Sequence, residues 1–340
     1  MPDLLQARNI HKDDFFKLNS PEEKIAFLLQ YAVLAPSTHN SQPWNFRVGS
    51  DFCEIIRNDE NPIVYADPKG RDLYISFGCL IENLVVAARY FRVFKNVDYV
   101  LQGSSIARIS FDFSDPGTNT HWESVIDAIL IRVNARGLFE KESVDKASLD
   151  ILKGIEVPNG LQRFFLEQKQ DIATIADLTN QGLVIAYRDT NFRNEMSQWV
   201  NNSVSKKPTG IPGYSLRMPF LISFVFSWLV RNFNIGKRLG SLNRISINSA
   251  PAAIVVTADE NTPKHWLETG RFAERFVLQT YALGYKTSFF TAAIEMGDLY
   301  QDIQRLLHTE KIPQFIIIFG KLNHRQKQNL RYSAHSKIIK

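Results

Sequence analysis

The sequence predicts an α+β fold in which helices and strands alternate in α/β layers. Residues 250–259 (APAAIVVTAD) and 314–321 (QFIIIFGK) are almost continuously apolar, which is typical of strands buried on both faces. Residues 265–284 instead repeat their apolar side chains at helical spacing and end at Gly284, which suits a helix C-terminus. Because the two patterns alternate, helices packed on sheets are expected. The chain has 340 residues, 44% of them apolar, enough for a sizeable core.

The N-terminal third begins with a well-marked helix. Ser20 can cap it, Pro21 fits its first position, Glu23 completes a capping box and Pro36 ends it. The other predicted elements are strands at 44–48, 52–57, 97–101 and 106–113, and helices at 73–90, 122–130, 143–153 and 172–190. Residues 114–121 form the best candidate linker, and residues 201–220 are expected to be irregular.

The charge distribution argues against a nucleic-acid-binding protein. The formal net charge is +5, but the basic residues are scattered and form no stripe with interleaved aromatic residues. A small basic cluster lies near the C-terminus. It is either a solvated tail or a source of one cation for a phosphate group. Its members are Arg325, Lys327, Arg331, Lys337 and Lys340.

Cysteine usage and hydropathy indicate a cytoplasmic protein. Cys53 and Cys79 have no C-x-x-C spacing, so neither a disulfide framework nor a metal site is expected. The N-terminus lacks the apolar core of a signal peptide. The longest uncharged apolar run, residues 218–230, has 13 residues, whereas a membrane span needs about 20. We therefore expect no integral membrane span.

Residues 35–44 (APSTHNSQPW) form the first candidate site. Ser37, Thr38, Asn40 and Gln42 are small hydrogen-bonding groups in a loop that follows a helix. Such a loop could bind the polar edge of a heterocycle, or it could simply be a well-capped turn from helix to strand. His39 lies in the same loop, where it is expected to act as a hydrogen-bond partner and not as a base.

Residues 132–139 (RVNARGLF) form the second candidate site. Arg132 and Arg136 are four positions apart, with Asn134 between them. Arginine suits phosphate because its planar guanidinium can donate two parallel hydrogen bonds. The alternative is that both arginines are solvated at a helix end.

Together these strings resemble the nitroreductase-like family of FMN-binding proteins. Residues 35–44 are similar to the family's flavin-edge loop. Residues 132–152 resemble its N-terminal segment, in which a basic and hydroxyl cluster binds the FMN phosphate. Residues 250–259, the helix ending at Gly284 and residues 313–321 resemble later core elements, in the family's order. The loop, however, precedes the phosphate segment by about 90 residues instead of following it.

The resemblance is closest to the Acg-like single-chain branch, whose pattern also includes a stretch similar to residues 67–88. It implies a mostly antiparallel central sheet flanked by helices and two fused half-units that form an internal pseudo-dimer. Residues 1–115 would supply the flavin-edge loop. Residues 120–340 would supply the phosphate cluster and core sheet, with a candidate lid at 201–240. A pseudo-dimer that already closes the usual interface implies a monomer.

The resemblance also assigns roles to individual residues and implies one FMN per chain. Asn134 stands where the family usually has a hydroxyl residue, and Arg136 would lie toward the N1–C2 edge of the flavin. Arg132 and Asn134 would contact the phosphate, and Arg331 would be a second phosphate cation. The predicted cofactor-binding residues are Pro36, Ser37, Thr38, His39, Asn40, Gln42, Arg132, Asn134, Arg136 and Arg331.

Three functional hypotheses follow. The first is an FMN-dependent oxidoreductase that passes a hydride from NAD(P)H, by a ping-pong mechanism, to an electron-poor acceptor such as a nitroaromatic or a quinone. The flavin carries this chemistry, so no catalytic side chain is expected. The second is an FMN-binding protein with little turnover, closed by the lid. The third is peripheral membrane attachment through residues 218–230, compatible with either flavin role; a buried core helix explains that run equally well. Its basic flanks are Arg217, Arg231, Lys237 and Arg238.

Overall fold

The computed structural model describes residues 6–322, 324 and 326–339. The helices are α1 (Pro21–Ala32), α2 (Arg71–Tyr90), α3 (Glu123–Ile131), α4 (Lys146–Lys153), α5 (Lys169–Ala186), α6 (Thr190–Trp199), α7 (Phe220–Asn232), α8 (Gly236–Ser249), α9 (Pro263–Ala282), α10 (Ala292–Glu295) and α11 (Leu299–Leu307). The strands are β1 (Trp44–Val48), β2 (Phe52–Arg57), β3 (Phe94–Gln102), β4 (Ser105–Phe111), β5 (Leu161–Leu166), β6 (Val200–Asn201), β7 (Ile211–Pro212), β8 (Ala252–Ala258), β9 (Lys286–Phe290) and β10 (Ile312–Gly320).

The strands form two four-stranded antiparallel sheets, which confirms the α+β class. The first sheet has the order β1-β2-β4-β3 and the second has the order β5-β8-β10-β9. Every strand of the first sheet comes from residues 44–111, and every strand of the second comes from residues 161–320. A short parallel pair, β6 and β7, lies apart from both sheets. The sequence resemblance led us to expect one central sheet, whereas the described residues divide their long strands between two.

Local signals placed α1 correctly. The Ser20 side chain accepts a hydrogen bond from the backbone N–H of Glu23, and the Glu23 carboxylate accepts one from the backbone N–H of Ser20. This capping box satisfies N–H groups that the first helical turn leaves free. Pro21 occupies the first helical position, as predicted. Residues 33–35, which follow α1 and lead into the candidate loop, are also buried.

Helices α2 and α9 cross closely at two glycines and join the two halves of the chain. A β-carbon on Gly78 would overlap the Leu267 carbonyl oxygen, and one on Gly270 would overlap the carbonyl oxygen of Ile75. Only glycine allows two helix backbones to approach this closely. Within the described residues, α2 is also the one helix that is long and apolar enough to cross a membrane, but 83% of its most apolar window is buried inside the protein. It is therefore a core helix.

Several elements differ from the sequence-based expectation. Strands β5 and β9 were not predicted, because polar residues interrupt the apolar pattern of both. The helix predicted at 172–190 divides into α5 and α6, with Asp189 capping α6 through a hydrogen bond from Asn191 N. The interpretation of residues 218–230 as a buried core helix is wrong, since α7 buries only Ser223 and Val230.

The C-terminal segment runs back across the first half of the chain. Ile338 forms a parallel bridge with Phe46 of β1, and the Ile339 N–H donates to the Phe46 carbonyl oxygen over 2.8 Å. The Tyr332 N–H donates to Gln42 Oε1 over 2.9 Å, which anchors the segment to the candidate loop. This path brings residues that follow β10 next to residues that precede β1.

Candidate functional site

The loop that follows α1 has an unusual backbone. His39, Asn40 and Gln42 have φ values of +52°, +59° and +52°, in the left-handed region that non-glycine residues seldom adopt. Ser37 helps to hold the turn, because its Oγ accepts a hydrogen bond of 3.0 Å from the Gln42 N–H. The Thr38 N–H donates to Ser76 Oγ over 3.4 Å, which ties the loop to α2. Backbone strain of this kind concentrates at binding sites.

Segment 208–210, within the candidate lid, lies directly on this loop. Asn40 Nδ2 donates to the carbonyl oxygens of Pro208, at 2.8 Å, and Gly210, at 3.2 Å. Gln42 Nε2 also donates to the Pro208 carbonyl oxygen over 2.8 Å. The two amide side chains therefore hold segment 208–210 against the loop. A ligand that used these amides would have to displace the segment.

His39 belongs to the same loop. Its ring is 6.2 Å from the ring of Trp199, at the end of α6. Its Nε2 atom is buried without a hydrogen-bond partner among the described residues. Burial lowers the pKa of His39 to about 4, so the imidazole is neutral at physiological pH. A neutral ring at this position can donate or accept one hydrogen bond but contributes no charge.

Arg132 follows α3, and its buried side chain reaches the residues that follow α1 instead of a solvated surface. Arg132 is 2% exposed, and its guanidinium donates a hydrogen bond of 3.0 Å to the Leu34 carbonyl oxygen. Arg132 Nε is 3.1 Å from Glu274 Oε1 of α9, although the N–H does not point at the carboxylate. The Tyr281 hydroxyl fixes the neighbouring backbone, because it donates to the Val133 carbonyl oxygen over 2.7 Å.

Arg331 reaches the same place from the C-terminal segment. It is buried, and its guanidinium makes a long contact of 3.5 Å to the Ala35 carbonyl oxygen. Burial, followed by the positive charges of Arg8 and Arg132, holds the pKa of Arg331 well below its usual value. The interpretation of the C-terminal basic cluster as a solvated tail is therefore wrong for Arg331 and for Lys337, which is also buried. Arg325 and Lys340 lie outside the described residues.

Arg8 is a third cation of this cluster, and sequence reasoning did not find it. Its guanidinium donates to the carbonyl oxygens of Ile129 and Leu130 at the end of α3, at 3.2 and 2.8 Å. Burial, followed by repulsion from Arg132, lowers the pKa of Arg8 to about 9. In sequence, Arg8 stands in a short polar segment with no pattern around it. Glu274 was also missed, although a carboxylate on the buried face of α9 is itself a signal.

The cluster of Arg8, Arg132, Arg331 and Glu274 has the composition of an anion site. Arg132 contacts the Glu274 carboxylate, and the charges of Arg331 and Arg8 also act on it, while burial raises the pKa of the Glu274 carboxyl to about 7. The Nε atoms of all three arginines and both Glu274 oxygens are buried without hydrogen-bond partners among the described residues. Buried polar groups are normally paired, so this excess of donors fits a bound group with several anionic oxygens. A phosphate has those oxygens.

The other two predicted phosphate-segment residues lie along β9 instead. Asn134 Oδ1 accepts a hydrogen bond of 3.1 Å from the Phe289 N–H, and the Ala135 N–H donates to the Thr287 carbonyl oxygen over 2.8 Å. The Arg136 N–H donates to Gln326 Oε1 over 3.0 Å, and burial lowers the pKa of its guanidinium. Asn134 and Arg136 are thus close to Arg132 in sequence, but their hydrogen bonds lead to Phe289 and Gln326. Among the described residues, neither the three side-chain hydrogen bonds of Arg132 and Arg331 nor the ion pair of Arg132 with Glu274 involves Asn134 or Arg136.

A large cavity lies elsewhere. It has a volume of about 880 Å³, and none of the predicted cofactor-binding residues lines it. One wall contains Arg71, which pairs with Asp72 at 2.7 Å and with Glu295 at 2.8 Å. Burial, followed by the charge of Asp72, raises the pKa of Glu295 well above its usual value. These ionic groups are satisfied by one another, so the cavity has no unpaired donor set comparable to the arginine cluster.

The chain is similar in sequence to two curated proteins of Mycobacterium tuberculosis (strain ATCC 25618 / H37Rv). It is 38% identical over 65 residues, 19% of each chain, to "Putative NAD(P)H nitroreductase Rv3131". It is 31% identical over 107 residues, 31% of this chain and 32% of the relative, to "Putative NAD(P)H nitroreductase acg". The aligned stretches thus span between a fifth and a third of the curated relatives. No protein-family model matches the chain.

Solved structures overlap with the chain in part. Nitroreductase A from Vibrio parahaemolyticus covers 62% of this chain and 73% of its own length, at 11% identity and a TM-score of 0.38. The nitroreductase NfnB from Sphigopyxis sp. strain HMH, described as FMN and NADPH-dependent, covers 62% and 96%, at 13% identity and a TM-score of 0.42. Over these aligned stretches the chain is similar to proteins named as NAD(P)H nitroreductases.

Proposed function

We propose that this chain is an FMN-dependent oxidoreductase that uses NAD(P)H. The observation that carries the proposal is the buried cluster of Arg8, Arg132, Arg331 and Glu274 beside the strained loop at residues 37–42. Two of its arginines contact the carbonyl oxygens of Leu34 and Ala35, which lead directly into that loop. An anion site next to a loop of amide and hydroxyl groups matches the two ends of a flavin mononucleotide. The sequence relatives named as NAD(P)H nitroreductases support the same activity.

Each part of the site has a distinct task in this proposal. Arg8, Arg132 and Arg331 hold the phosphate, and Ser37, Thr38 and Asn40 contact the ribityl chain and the ring. Arg136 places positive charge toward the N1–C2 edge of the ring, where it stabilises the reduced form. Bound FMN supplies hydride transfer from NAD(P)H to an electron-poor acceptor such as a nitroaromatic or a quinone, in a ping-pong sequence. The remaining predicted contacts are Pro36, His39, Gln42 and Asn134.

In this proposal, two ranges of the chain supply different parts of the site. Residues 1–115 supply the loop, and residues 120–340 supply Arg132, Arg331 and the second sheet. The finding that each four-stranded sheet is confined to one of these ranges supports two half-units within a monomer. Arg8 adds a contribution from the first range to the phosphate end. One chain thereby supplies both ends of a single cofactor site.

The contacts of segment 208–210 favour a second candidate function. Since the Pro208 and Gly210 carbonyl oxygens accept hydrogen bonds from Asn40 and Gln42, the segment covers the loop where a nicotinamide would have to approach. A protein that keeps this cover closed would hold FMN with little turnover. The two functions share the same cofactor site and differ in whether the cover opens.

One spectroscopic experiment separates the two functions. The purified protein, loaded with FMN and freed of excess, is mixed anaerobically with NADPH or NADH while the flavin absorbance is followed. The oxidoreductase hypothesis predicts that one donor reduces the flavin, so that its absorbance bleaches at a catalytically useful rate. A spectrum that persists with both donors, yet bleaches with dithionite, supports the covered flavin-binding protein. A protein that retains no FMN contradicts both.

A further inference from the structure

Helix α7 directs its apolar side chains away from the protein. Phe220, Leu221, Phe224, Val225 and Trp228 are 56%, 79%, 49%, 49% and 58% exposed. These five residues occupy successive turns of one helix. Single exposed apolar residues are ordinary on protein surfaces, but a contiguous group of large ones marks an interaction surface. We call these five side chains the α7 face.

The side of α7 that packs against the body of the protein carries two serines together with Val230 and the partly buried Phe226. Ser223 Oγ accepts a hydrogen bond of 3.1 Å from the Ser203 N–H and donates to the Phe220 carbonyl oxygen over 2.6 Å. Ser227 Oγ donates to the Ser197 carbonyl oxygen over 2.6 Å. Ser223, Ser227 and Val230 follow the i, i+4, i+7 spacing of one helical side. The amphipathicity of α7 is thus inverted relative to a helix that covers a core.

The chain segment that contains the α7 face carries charges of one sign. Between Glu195 and Asp259 the chain contains seven lysines and arginines and no aspartate or glutamate. The whole chain has 40 basic and 35 acidic residues, so the remainder carries a slight excess of acidic residues. The cations nearest to the α7 face in sequence are exposed and form no salt bridge within the described part of the chain. They are Arg217, Arg231, Lys237 and Arg238. 

We propose that the α7 face and its flanking cations dock the protein on an anionic phospholipid surface. Large apolar and aromatic side chains on one helical face, flanked by lysine and arginine, are the features of a helix that lies in the membrane interface. Trp228, in edge contact with Phe233 at 5.4 Å, is the residue type that prefers that depth. Helix α7 has 13 residues and is too short to cross a bilayer, so it lies in the plane of the surface.

The charge pattern favours a lipid surface over a second copy of the chain. A two-fold symmetric contact through the α7 face would bring the same cations of both copies together. Like charges at short distance oppose such a pairing. Lipid phosphates instead neutralise these cations, while the acyl region receives the apolar side chains. The inference does not depend on FMN binding, because it uses none of the predicted cofactor-binding residues.

Co-sedimentation of the full-length protein with vesicles tests the proposal. One set of vesicles contains phosphatidylcholine alone and the other contains phosphatidylcholine with about 30% phosphatidylserine, an anionic fraction sufficient to attract clustered cations. We expect binding to the anionic vesicles that weakens with added salt and is lost from neutral ones. The double variant Leu221→Ser, Trp228→Ser and the double variant Lys237→Gln, Arg238→Gln should each lower the partition coefficient at least about tenfold.

Matched controls replace exposed residues elsewhere. Ile151→Ser removes an apolar side chain on α4 that is 48% exposed, and Lys141→Gln, Lys146→Gln removes two exposed charges. Both controls should bind like the unaltered protein. Absence of binding to anionic vesicles, or binding unchanged in both α7-region variants, overturns the proposal. Light scattering that finds a dimer, converted to monomer by Leu221→Ser, Trp228→Ser, overturns it in favour of a second copy.

Discussion

Arg132 and Arg331, which are 199 positions apart in the chain, contact the carbonyl oxygens of two successive residues, Leu34 and Ala35. Arg132 arrives from the end of α3, and Arg331 arrives from the segment that crosses back over β1. Both are buried, and both have an Nε atom without a hydrogen-bond partner among the described residues. The end of α1 is therefore the point at which three distant parts of the chain, including Arg8, assemble one cationic cluster.

Arg331→Met should separate cofactor binding from fold stability. Among the described residues, the hydrogen bonds of Arg331 are 3.5 Å long, and Arg331 is buried near two like charges. Its removal should therefore leave the ligand-free protein as stable or slightly more stable. FMN affinity should fall by about 1–3 kcal/mol, the usual cost of losing a charged hydrogen-bond partner. Chemical unfolding and a flavin titration measure the two quantities. Lys327→Met, in the same segment but exposed, is the control and should change neither.

Glu274→Gln should change the pH dependence of stability. Burial raises the pKa of Glu274 to about 7 from 4.5, so the folded state retains a proton that the unfolded state loses between these values. The stabilisation from this group is complete below pH 4.5 and is lost as the pH rises through about 7. The free energy of unfolding of the variant should therefore gain on that of the unaltered protein by about 3 kcal/mol across the window. Parallel curves for the two FMN-free proteins would contradict this.

Gly270→Ala should destabilise the junction between the two halves. The added methyl group overlaps the Ile75 carbonyl oxygen of α2, and the helices must separate to accommodate it. Overpacking of this kind costs about 1–3 kcal/mol. Denaturant unfolding measures the change. Gly154→Ala is the control, because Gly154 has a helical φ of −78° at the end of α4; an equal loss in both variants would contradict the role of the crossing.

Gly210→Ala should loosen the cover over the flavin-edge loop. Gly210 has a φ of +84°, and a β-carbon there would overlap the Trp199 carbonyl oxygen, so segment 208–210 must shift away from Asn40. Release of FMN, followed by stopped-flow fluorescence, should become faster. Gly103→Ala carries a similar backbone strain, with a φ of +60°, but has open space around it in the turn between β3 and β4. An equal acceleration in that control would mean that strain alone is responsible.

Local chemistry explains which elements could be predicted from the sequence. The capping box at Ser20 and the buried strands near residues 255 and 317 depend on neighbours in the chain, and the structure has them where expected. Arg132 was a candidate because of its spacing to Arg136, and Arg331 was named through the family resemblance. Their convergence required a path of the C-terminal segment that no local pattern specifies. Arg8 could not be found for the same reason. It becomes part of the cluster only because the end of α3 lies beside it.

The orientation of α7 illustrates a different limit. An apolar run of 13 residues fits equally well inside a protein or on its surface, because hydropathy does not show which side of the helix faces the protein. The serines at positions 223 and 227 determine the outcome, since their hydroxyls are matched by backbone groups at Ser203 and Ser197. Those partners lie about 20 to 30 residues earlier in the chain. Only the folded structure shows which side of the helix faces them.

Paired titrations of FMN and riboflavin test the central claim, that the arginine cluster binds the flavin phosphate. Riboflavin has the same ring and ribityl chain but no phosphate, so the two ligands differ only at the cluster. The unaltered protein should bind FMN far more tightly than riboflavin. Arg132→Ala should lower FMN affinity by about 1–3 kcal/mol and leave riboflavin affinity nearly unchanged. Equal affinities for the two flavins, or equal losses for both in the variant, would contradict the assignment of the cluster to the phosphate.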